Sequence, residues 1–305
     1  MNQKHFSFRR SIDKLFEFPP YTESKLFSEA TSDVDWLQYI RGTEVQNKNK
    51  NVLNTKRRLG MTMQRVQRQN KCKYCWFHRL LCICPNVRPS EPGRFGNIQF
   101  HVLMHAREFA KLSNTGRVIC GHFDAPLYIG WHPISQQLLD DLCASCNENN
   151  LFVLFPETGA LSVQNFIDKA QYVSSGMSNA GSDTDIIHVV IIDSSWNESK
   201  TLHKLIPERF HRIALDPASV LAYSSLLDPV RCRTRASGVC TTEAVIMFLR
   251  SLGSPLSDLS TIIGTLTHVI DLIKLEKHLP GERGDFSPAL YEKFVKSLSD
   301  RQSQC

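Results

Sequence analysis

Four cysteines lie within thirteen residues of the chain, in the run CKYCWFHRLLCICP. A Cys-x-x-Cys pair and a Cys-x-Cys pair this close together suit a tetrahedral Zn²⁺ site. Four buried, reduced cysteines are a weaker alternative, because the run has cationic flanks. A disulfide pair would need an oxidising compartment, and no signal peptide indicates one. We therefore predict a zinc knuckle whose ligands are Cys72, Cys75, Cys82 and Cys84.

Other polar residues follow the apolar runs of the later part of the chain. Asn114-Thr115-Gly116 comes after the first run, Pro156 ends the second, and the third leads into Asp193-Ser194-Ser195-Trp196. Arg233 then precedes Thr242-Glu243, which opens a helical pattern. Each signal is weak alone, since an Asp after a strand or a Thr at a helix start often serves as a cap.

The elements that must position these residues are short strands and helices. The runs NIQFHVLMH (97–105), NLFVLFP (150–156) and IIHVVIID (186–193) lack strict alternation, as expected of strands buried on both faces. Helical patterns lie between them, so we predict an α/β fold with a mostly parallel sheet flanked by helices. In such folds, ligands bind at the carboxyl ends of the strands.

The composition changes along the chain, and it divides the sequence into parts. We predict a polar and basic extension, partly disordered, at 1–70, a zinc knuckle at 71–96, an α/β domain at 97–250 and a C-terminal helical segment at 251–305. Within the first part, NKNKNVLN (47–54) is predicted to be loop or disorder. The last part contains a long helical pattern from Leu256 to His278, and Gly176–Asp185 is predicted to be a surface loop.

The net charge of +6 is distributed unevenly. From Arg41 to Lys73, ten Lys and Arg residues accompany one acid, Glu44, so this segment carries +9 and the rest of the chain −3. A cationic segment that leads into a zinc knuckle suits nucleic acid, because neutralised phosphates release counterions. The alternative is a solvated linker whose charge keeps the chain soluble.

The composition is that of an ordinary globular protein, with 42% hydrophobic and 22% charged residues. No apolar run looks long enough to span a bilayer, so we expect no membrane partner. Reduced cysteines favour an intracellular location, with the cytoplasm preferred and the nucleus or an organelle left open. The sequence does not set the oligomeric state.

In this order, the motifs resemble one family. Cys-x2-Cys-x6-Cys-x-Cys, His-x2-Glu, Asn-Thr-Gly, a strand ending in Pro, Asp-x-x-Trp, Arg and Thr-x-Glu-Ala form the pattern of the DTW-domain proteins, the tRNA-uridine aminocarboxypropyltransferases. The resemblance covers about residues 70–250, and it implies a SPOUT-like sheet with a trefoil knot. The namesake motif usually reads Asp-x-Thr-Trp, whereas Ser195 replaces the Thr here and keeps its hydroxyl. Residues 176–185 look like an insertion.

The resemblance implies transfer of the 3-amino-3-carboxypropyl group of S-adenosylmethionine to N3 of a uridine in tRNA, with release of methylthioadenosine. S-adenosylmethionine is then the co-substrate and tRNA the partner. The site must align the methylene carbon with N3 and remove the N3 proton. Two other functions stay open: an S-adenosylmethionine-dependent RNA methyltransferase, and a non-catalytic zinc-containing module that binds RNA.

Three residues are predicted to be catalytic. Asp193 is the candidate general base, and Arg233 is expected to hold a carboxylate of the co-substrate or a tRNA phosphate. Trp196 is either an aromatic platform for a base or a core residue that anchors the helix after the strand. The residues predicted to bind the co-substrate are Asn114, Thr115, Gly116, Pro156, Ser195, Thr242 and Glu243.

Overall fold

The computed structural model describes residues 7–17, 47–87, 89–91, 93–170, 186–228, 230 and 238–278. Within this part of the chain, six strands form one sheet in which every pair of neighbours is parallel, in the order β2-β1-β5-β3-β6-β4. The strands are β1 Ile98–Met104, β2 Leu127–Ile129, β3 Leu151–Leu154, β4 Leu161–Ser162, β5 Ile187–Asp193 and β6 His211–Ala214. The predicted α/β fold is therefore confirmed, while the trefoil knot stays a prediction.

Helices cover both faces of the sheet. In chain order they are α1 Phe8–Glu17, α2 Asn47–Arg68, α3 Gly116–Phe123, α4 Pro133–Ser145, α5 Val163–Ala170, α6 Trp196–Leu202, α7 Pro217–Ala222, α8 Thr241–Ser251 and α9 Leu256–His278. The bounds predicted for the long helix from Leu256 to His278 are confirmed. The predicted surface loop Gly176–Asp185 lies outside the described residues.

The three strands predicted from apolar runs are β1, β3 and β5, and they lie side by side in the sheet. Successive side chains of β1 point to opposite faces. The buried apolar side chains form two clusters, a larger core and a smaller core. Phe100 and Val102 belong to the larger core, and Leu103 belongs to the smaller core on the other face. Both faces are thus covered by apolar side chains, which explains why these runs lack polar alternation.

The prediction of a loop at 47–54 is wrong, because this stretch begins the 22-residue helix α2. Its Asn-rich start has low helix propensity, but Thr55, Leu59 and Val66 further along the helix are buried against the domain. Packing of this face stabilises the helix more than propensity weakens it.

Helix α1 also packs on the domain, with Phe8, Ile12 and Leu15 buried on one face at helical spacing. The Ser11 hydroxyl oxygen accepts a hydrogen bond from the backbone N–H of Leu127 at 3.1 Å. Part of the predicted polar extension therefore supports the edge strand β2.

One helix of the described residues, α9, has the length and apolar composition of a membrane span over Leu256–Glu276. Its residues Leu259, Ile262 and Leu266 are fully buried in the larger core. Glu276, near its end, pairs with Lys71 at 2.6 Å. We therefore interpret α9 as a core helix, because buried core helices can have the same length and apolar composition as a membrane span.

Candidate active site and metal centre

The four predicted zinc ligands lie together. The Sγ atoms of Cys72 and Cys84 are 3.7 Å apart, as are those of Cys75 and Cys82, and all four sulfurs lie within 4.8 Å of one another. Four ligands about 2.3 Å from a central Zn²⁺ define a tetrahedron with edges of about 3.8 Å. A disulfide would need an S–S distance of about 2.05 Å, so the sulfurs are unbonded thiols. The cluster fits a zinc ion.

The backbone of the knuckle folds back on itself to bring the sulfurs together. Lys71 and His78 form an antiparallel bridge, and Cys72 donates its N–H to the carbonyl of Phe77 at 2.8 Å. Trp76, inside this turn, has a positive φ of 62°. Trp76 and Phe77 are fully buried in the same core as the sheet, so the knuckle is packed onto the α/β domain.

Hydrogen bonds among the sulfurs lower the pKa of one cysteine of the cluster and raise the pKa of two others. The bond from Cys75 lowers the pKa of Cys72, and bonding to Cys72 raises the pKa of Cys75 to about 12. The pKa of Cys84 is raised as well, chiefly by its hydrogen bond to Cys72. A divalent cation removes this conflict, because it stabilises all four groups as thiolates at once.

Arg117 connects the knuckle to the helix that follows the Asn114-Thr115-Gly116 turn. Its guanidinium donates to the carbonyl of Cys75 and, at 2.7 Å, to the carbonyl of Leu112. The same group lies 4.2 Å from the ring centre of Phe77. Burial lowers the pKa of Arg117 to about 10, and the nearby cysteine sulfurs oppose this shift. A zinc-tetrathiolate centre carries net negative charge, so it is an electrostatic partner for this buried cation.

Asp193, the last residue of β5, joins three segments of the chain. Its Oδ2 accepts a hydrogen bond from Asn114 Nδ2 at 2.5 Å, and its Oδ1 accepts one from Thr241 Oγ1 at 2.5 Å. Its backbone carbonyl accepts the N–H of His105 at 3.0 Å. The residues after β1, the end of β5 and the start of α8 thus meet at one carboxylate, which is 4% exposed. Thr241 was not among the predicted site residues.

A second link joins the same two segments. Thr242 donates its hydroxyl to the carbonyl of Thr115 at 2.8 Å, and its N–H points to the Thr115 hydroxyl at 3.4 Å. Glu243 is fully buried and accepts hydrogen bonds from Ser225 and from the N–H of Cys240. Three residues predicted to bind the co-substrate, Thr115, Thr242 and Glu243, are therefore held in place by hydrogen bonds to one another or to neighbouring loops.

Ser195 and Glu198 order the start of α6. Ser195 donates its hydroxyl to Glu198 at 2.8 Å, and Arg107 reaches the same carboxylate at 3.0 Å. His105 Nδ1 lies 3.5 Å from it. Glu198 was missed by the sequence analysis, although the Ser-x-x-Glu spacing of a capping box marks it. It ties the loop after β1 to the helix after β5.

Trp196 is the first residue of α6 and is half-buried. In the described part of the chain it belongs to neither of the two clusters of packed apolar side chains. This favours the platform interpretation over the core interpretation. Pro156 follows β3 and is exposed, and its neighbour Glu157 approaches Arg212 at 3.6 Å. Arg233 lies outside the described residues.

Gly116 is required by the close approach of α3 to the carboxylate. A Cβ at this position would lie 2.5 Å from Asp193 Oδ2. We expect Gly116→Ala to displace that carboxylate and to lower the free energy of unfolding by about 1–3 kcal/mol, as overpacking does. Thermal unfolding measures the effect.

The matched control is Gly264→Ala in α9, where a Cβ meets nothing within 4 Å. Ala is the better helix former, so this variant should unfold at the same or a higher temperature. Equal unfolding temperatures for Gly116→Ala and the unchanged protein would contradict the close packing at Asp193.

A cavity of about 490 Å³ opens beside the loop that follows β1. Its size suits a small molecule or a nucleotide. The described residues that line it come from α2, the knuckle, the loop after β1 and α9, together with Val230. They are Arg65, Val66, Gln69, Lys71, Glu108, Ala110, Lys111, Leu112, Ser113, Val230 and Ile273. Ser113, which lines the cavity, directly precedes Asn114 in sequence.

The chain matches one protein family over most of its length. The family model described as DTW domain matches residues 69–274, more than half of the chain. The chain belongs to the DTW-domain family. The family includes tRNA-uridine aminocarboxypropyltransferases, and membership connects the protein with tRNA modification. No curated protein and no solved structure matches the chain. The matched range of this DTW-domain protein contains the four clustered cysteines and the segments that meet at Asp193.

Proposed function

We propose that this DTW-domain protein transfers the 3-amino-3-carboxypropyl group of S-adenosylmethionine to N3 of a uridine in tRNA. The observation that carries the proposal is the meeting of the family's motifs at the Asp193 carboxylate, through Asn114 and Thr241. These residues are far apart in sequence, and they converge at the carboxyl end of a parallel sheet, where α/β folds bind ligands.

Asp193 takes the proton of uridine N3 in this mechanism. The hydrogen bonds from Asn114 and Thr241 hold both carboxylate oxygens in place at the carboxyl end of β5. The N3 electron pair then attacks the methylene carbon beside the sulfonium. The carbon–sulfur bond breaks, its electron pair goes to sulfur, and methylthioadenosine leaves as a neutral thioether.

The remaining residues position the two substrates. Asn114, Thr115, Gly116 and Thr242 form the turn and wall against which S-adenosylmethionine binds, and Trp196 stacks on a base. Arg233 holds the carboxylate of the transferred group or a phosphate. Support for this role comes from the hydrogen bonds that hold the turn: Thr115 is bonded to Thr242 of α8, and Asn114 is bonded to Asp193 at the end of β5. Positioning of this kind supplies a large share of the rate in transfer reactions.

Cys72, Cys75, Cys82 and Cys84 would hold Zn²⁺ in this account. A site with four cysteine ligands has no open position for substrate, so the metal contributes folding energy and no step of the transfer. The hydrogen bonds from Arg117 to Cys75 and Leu112 let the knuckle support the loop that leads to Asn114.

Mass spectrometry of nucleosides tests the proposal. Zinc-loaded protein is incubated with S-adenosylmethionine and unmodified tRNA, and the tRNA is digested. We expect 3-(3-amino-3-carboxypropyl)uridine. Methyluridine would show that the protein is a methyltransferase instead, and unmodified uridine from a range of tRNAs would favour a module that only binds RNA.

A further inference from the structure

Helix α2 lies beside the carboxyl ends of β2 and β1. Near its middle, Thr55 donates its hydroxyl to the carbonyl of Gly130, just after β2, at 3.4 Å. Further along, Arg65 and Val66 line the cavity together with the loop after β1. Burial lowers the pKa of His105, which directly follows β1, and the charge of Arg58 adds to this shift. The helix therefore lies beside the strand ends that carry the proposed active site.

The outer face of α2 is cationic. Arg58, Arg65 and Arg68 are all exposed. At 1.5 Å per residue they are spaced over about 15 Å, and their positions seven and three residues apart place them along one side of the helix. Among the described residues, none of the three forms an ion pair or a side-chain hydrogen bond. We call these three residues the arginine stripe.

The arginine stripe leads into the cavity, because Arg65 belongs to both. Among the described residues, two other cations line the cavity, and each is paired with a carboxylate. Lys71 contacts Glu276 at 2.6 Å, and Lys111 contacts Glu108 at 2.7 Å. Of the cations that line the cavity in the described part of the chain, Arg65 is therefore the one without a carboxylate partner. Arg58 and Arg68 continue this cationic face beyond the cavity, so a chain of phosphates suits it better than the single carboxylate of S-adenosylmethionine.

We propose that the arginine stripe is a docking surface for the sugar–phosphate backbone of RNA, and that the cavity receives one phosphate beside Arg65. Guanidinium groups bind phosphates through paired hydrogen bonds, which matches the chemistry of this face. The helix is already formed and packed through Leu59 and Val66, so binding does not require ordering of the backbone. The inference rests on the proposed function for the identity of the RNA as tRNA.

The experiment compares tRNA binding by two double variants across a salt series. Arg58→Gln/Arg65→Gln removes two charges of the arginine stripe. Lys169→Gln/Lys204→Gln removes two charges, one from α5 and one from the turn after α6, and is the matched control. Gln, Lys and Arg have similar helix propensity, so all proteins should show the same circular dichroism. Full-length, zinc-loaded protein and one unmodified tRNA are used throughout.

We expect the stripe variant to bind tRNA at least about tenfold more weakly at 0.15 M salt, and its plot of log K against log salt to be shallower by about two. The control should keep the affinity within about twofold. Equal affinity and slope for the stripe variant and the unchanged protein would overturn the inference, as would equal weakening in the control.

The binding assay needs no turnover, so it separates this inference from the proposed function. If the unchanged protein produces the modified uridine and the stripe variant binds tRNA normally, the docking surface is wrong and the function stands. If the stripe variant loses binding and the unchanged protein modifies no uridine, the docking surface stands and the proposed reaction is wrong. If α2 binds a protein instead, tRNA affinity will not respond to the stripe substitutions, which also overturns the inference.

Discussion

Asp193→Asn should lower the rate of aminocarboxypropyl transfer by at least about a hundredfold, the usual contribution of a general base. The variant keeps the size of the side chain and removes its charge. It also leaves two donors, Asn114 Nδ2 and Thr241 Oγ1, facing an amide that cannot accept from both in the present arrangement. Hydrogen bonds to charged groups contribute about 1.5–3 kcal/mol each, so the free energy of unfolding should fall by about 2–4 kcal/mol.

Thr241→Val is the control for this variant. It removes the hydrogen bond to Asp193 Oδ1 but keeps the carboxylate, so it should lose stability while most of the turnover is retained. Single-turnover rates, with protein in excess at a concentration that saturates tRNA binding, and thermal unfolding of both variants are the measurements. A turnover close to that of the unchanged protein for Asp193→Asn would remove Asp193 from the mechanism.

Cys72→Ser should remove zinc from the protein and unfold the knuckle. Three thiolates do not complete the tetrahedral site, and structural zinc contributes about 10–16 kcal/mol of binding energy in isolated zinc-finger peptides. We expect less than one zinc per chain and a loss of several kcal/mol in the free energy of unfolding. Because Arg117 links Cys75 to the loop before Asn114, transfer activity should fall as well.

Cys143→Ser is the matched control for the metal measurement. Cys143 is a buried cysteine of α4 that packs in the smaller core, away from the cluster. Burial raises the pKa of its thiol to about 11, so it is a neutral packing residue. This variant should keep full zinc content by elemental analysis. A Cys72→Ser protein with full zinc content would show that Cys72 is not a ligand.

The sequence predicted those parts of the fold in which a single segment carries its own pattern. The strands β1, β3 and β5 are apolar because both faces of the sheet are covered, and α9 has a long, continuous helical pattern. The strands β2, β4 and β6 contain only two to four residues, and none lies in a continuous apolar run as long as LFVLF (151–155), which contains β3. They are strands because they pair with neighbours, which is information from the tertiary structure.

The site shows the same division. The four cysteines are close in sequence, so their clustering was predictable from spacing alone. Asp193 was predictable as a polar residue at the end of a strand. That its carboxylate would accept from both Asn114 and Thr241 was not, because those contacts span 79 and 48 residues. Helix α2 was missed because its stability comes from burial of Leu59 and Val66 against the domain.

The central claim is that one reaction consumes S-adenosylmethionine at the carbon–sulfur bond of its aminocarboxypropyl arm. The most direct test measures both products of one incubation with unmodified tRNA by mass spectrometry. The account predicts one methylthioadenosine released for each 3-(3-amino-3-carboxypropyl)uridine formed, with neither product in the absence of tRNA. Release of S-adenosylhomocysteine together with a methylated nucleoside would contradict it.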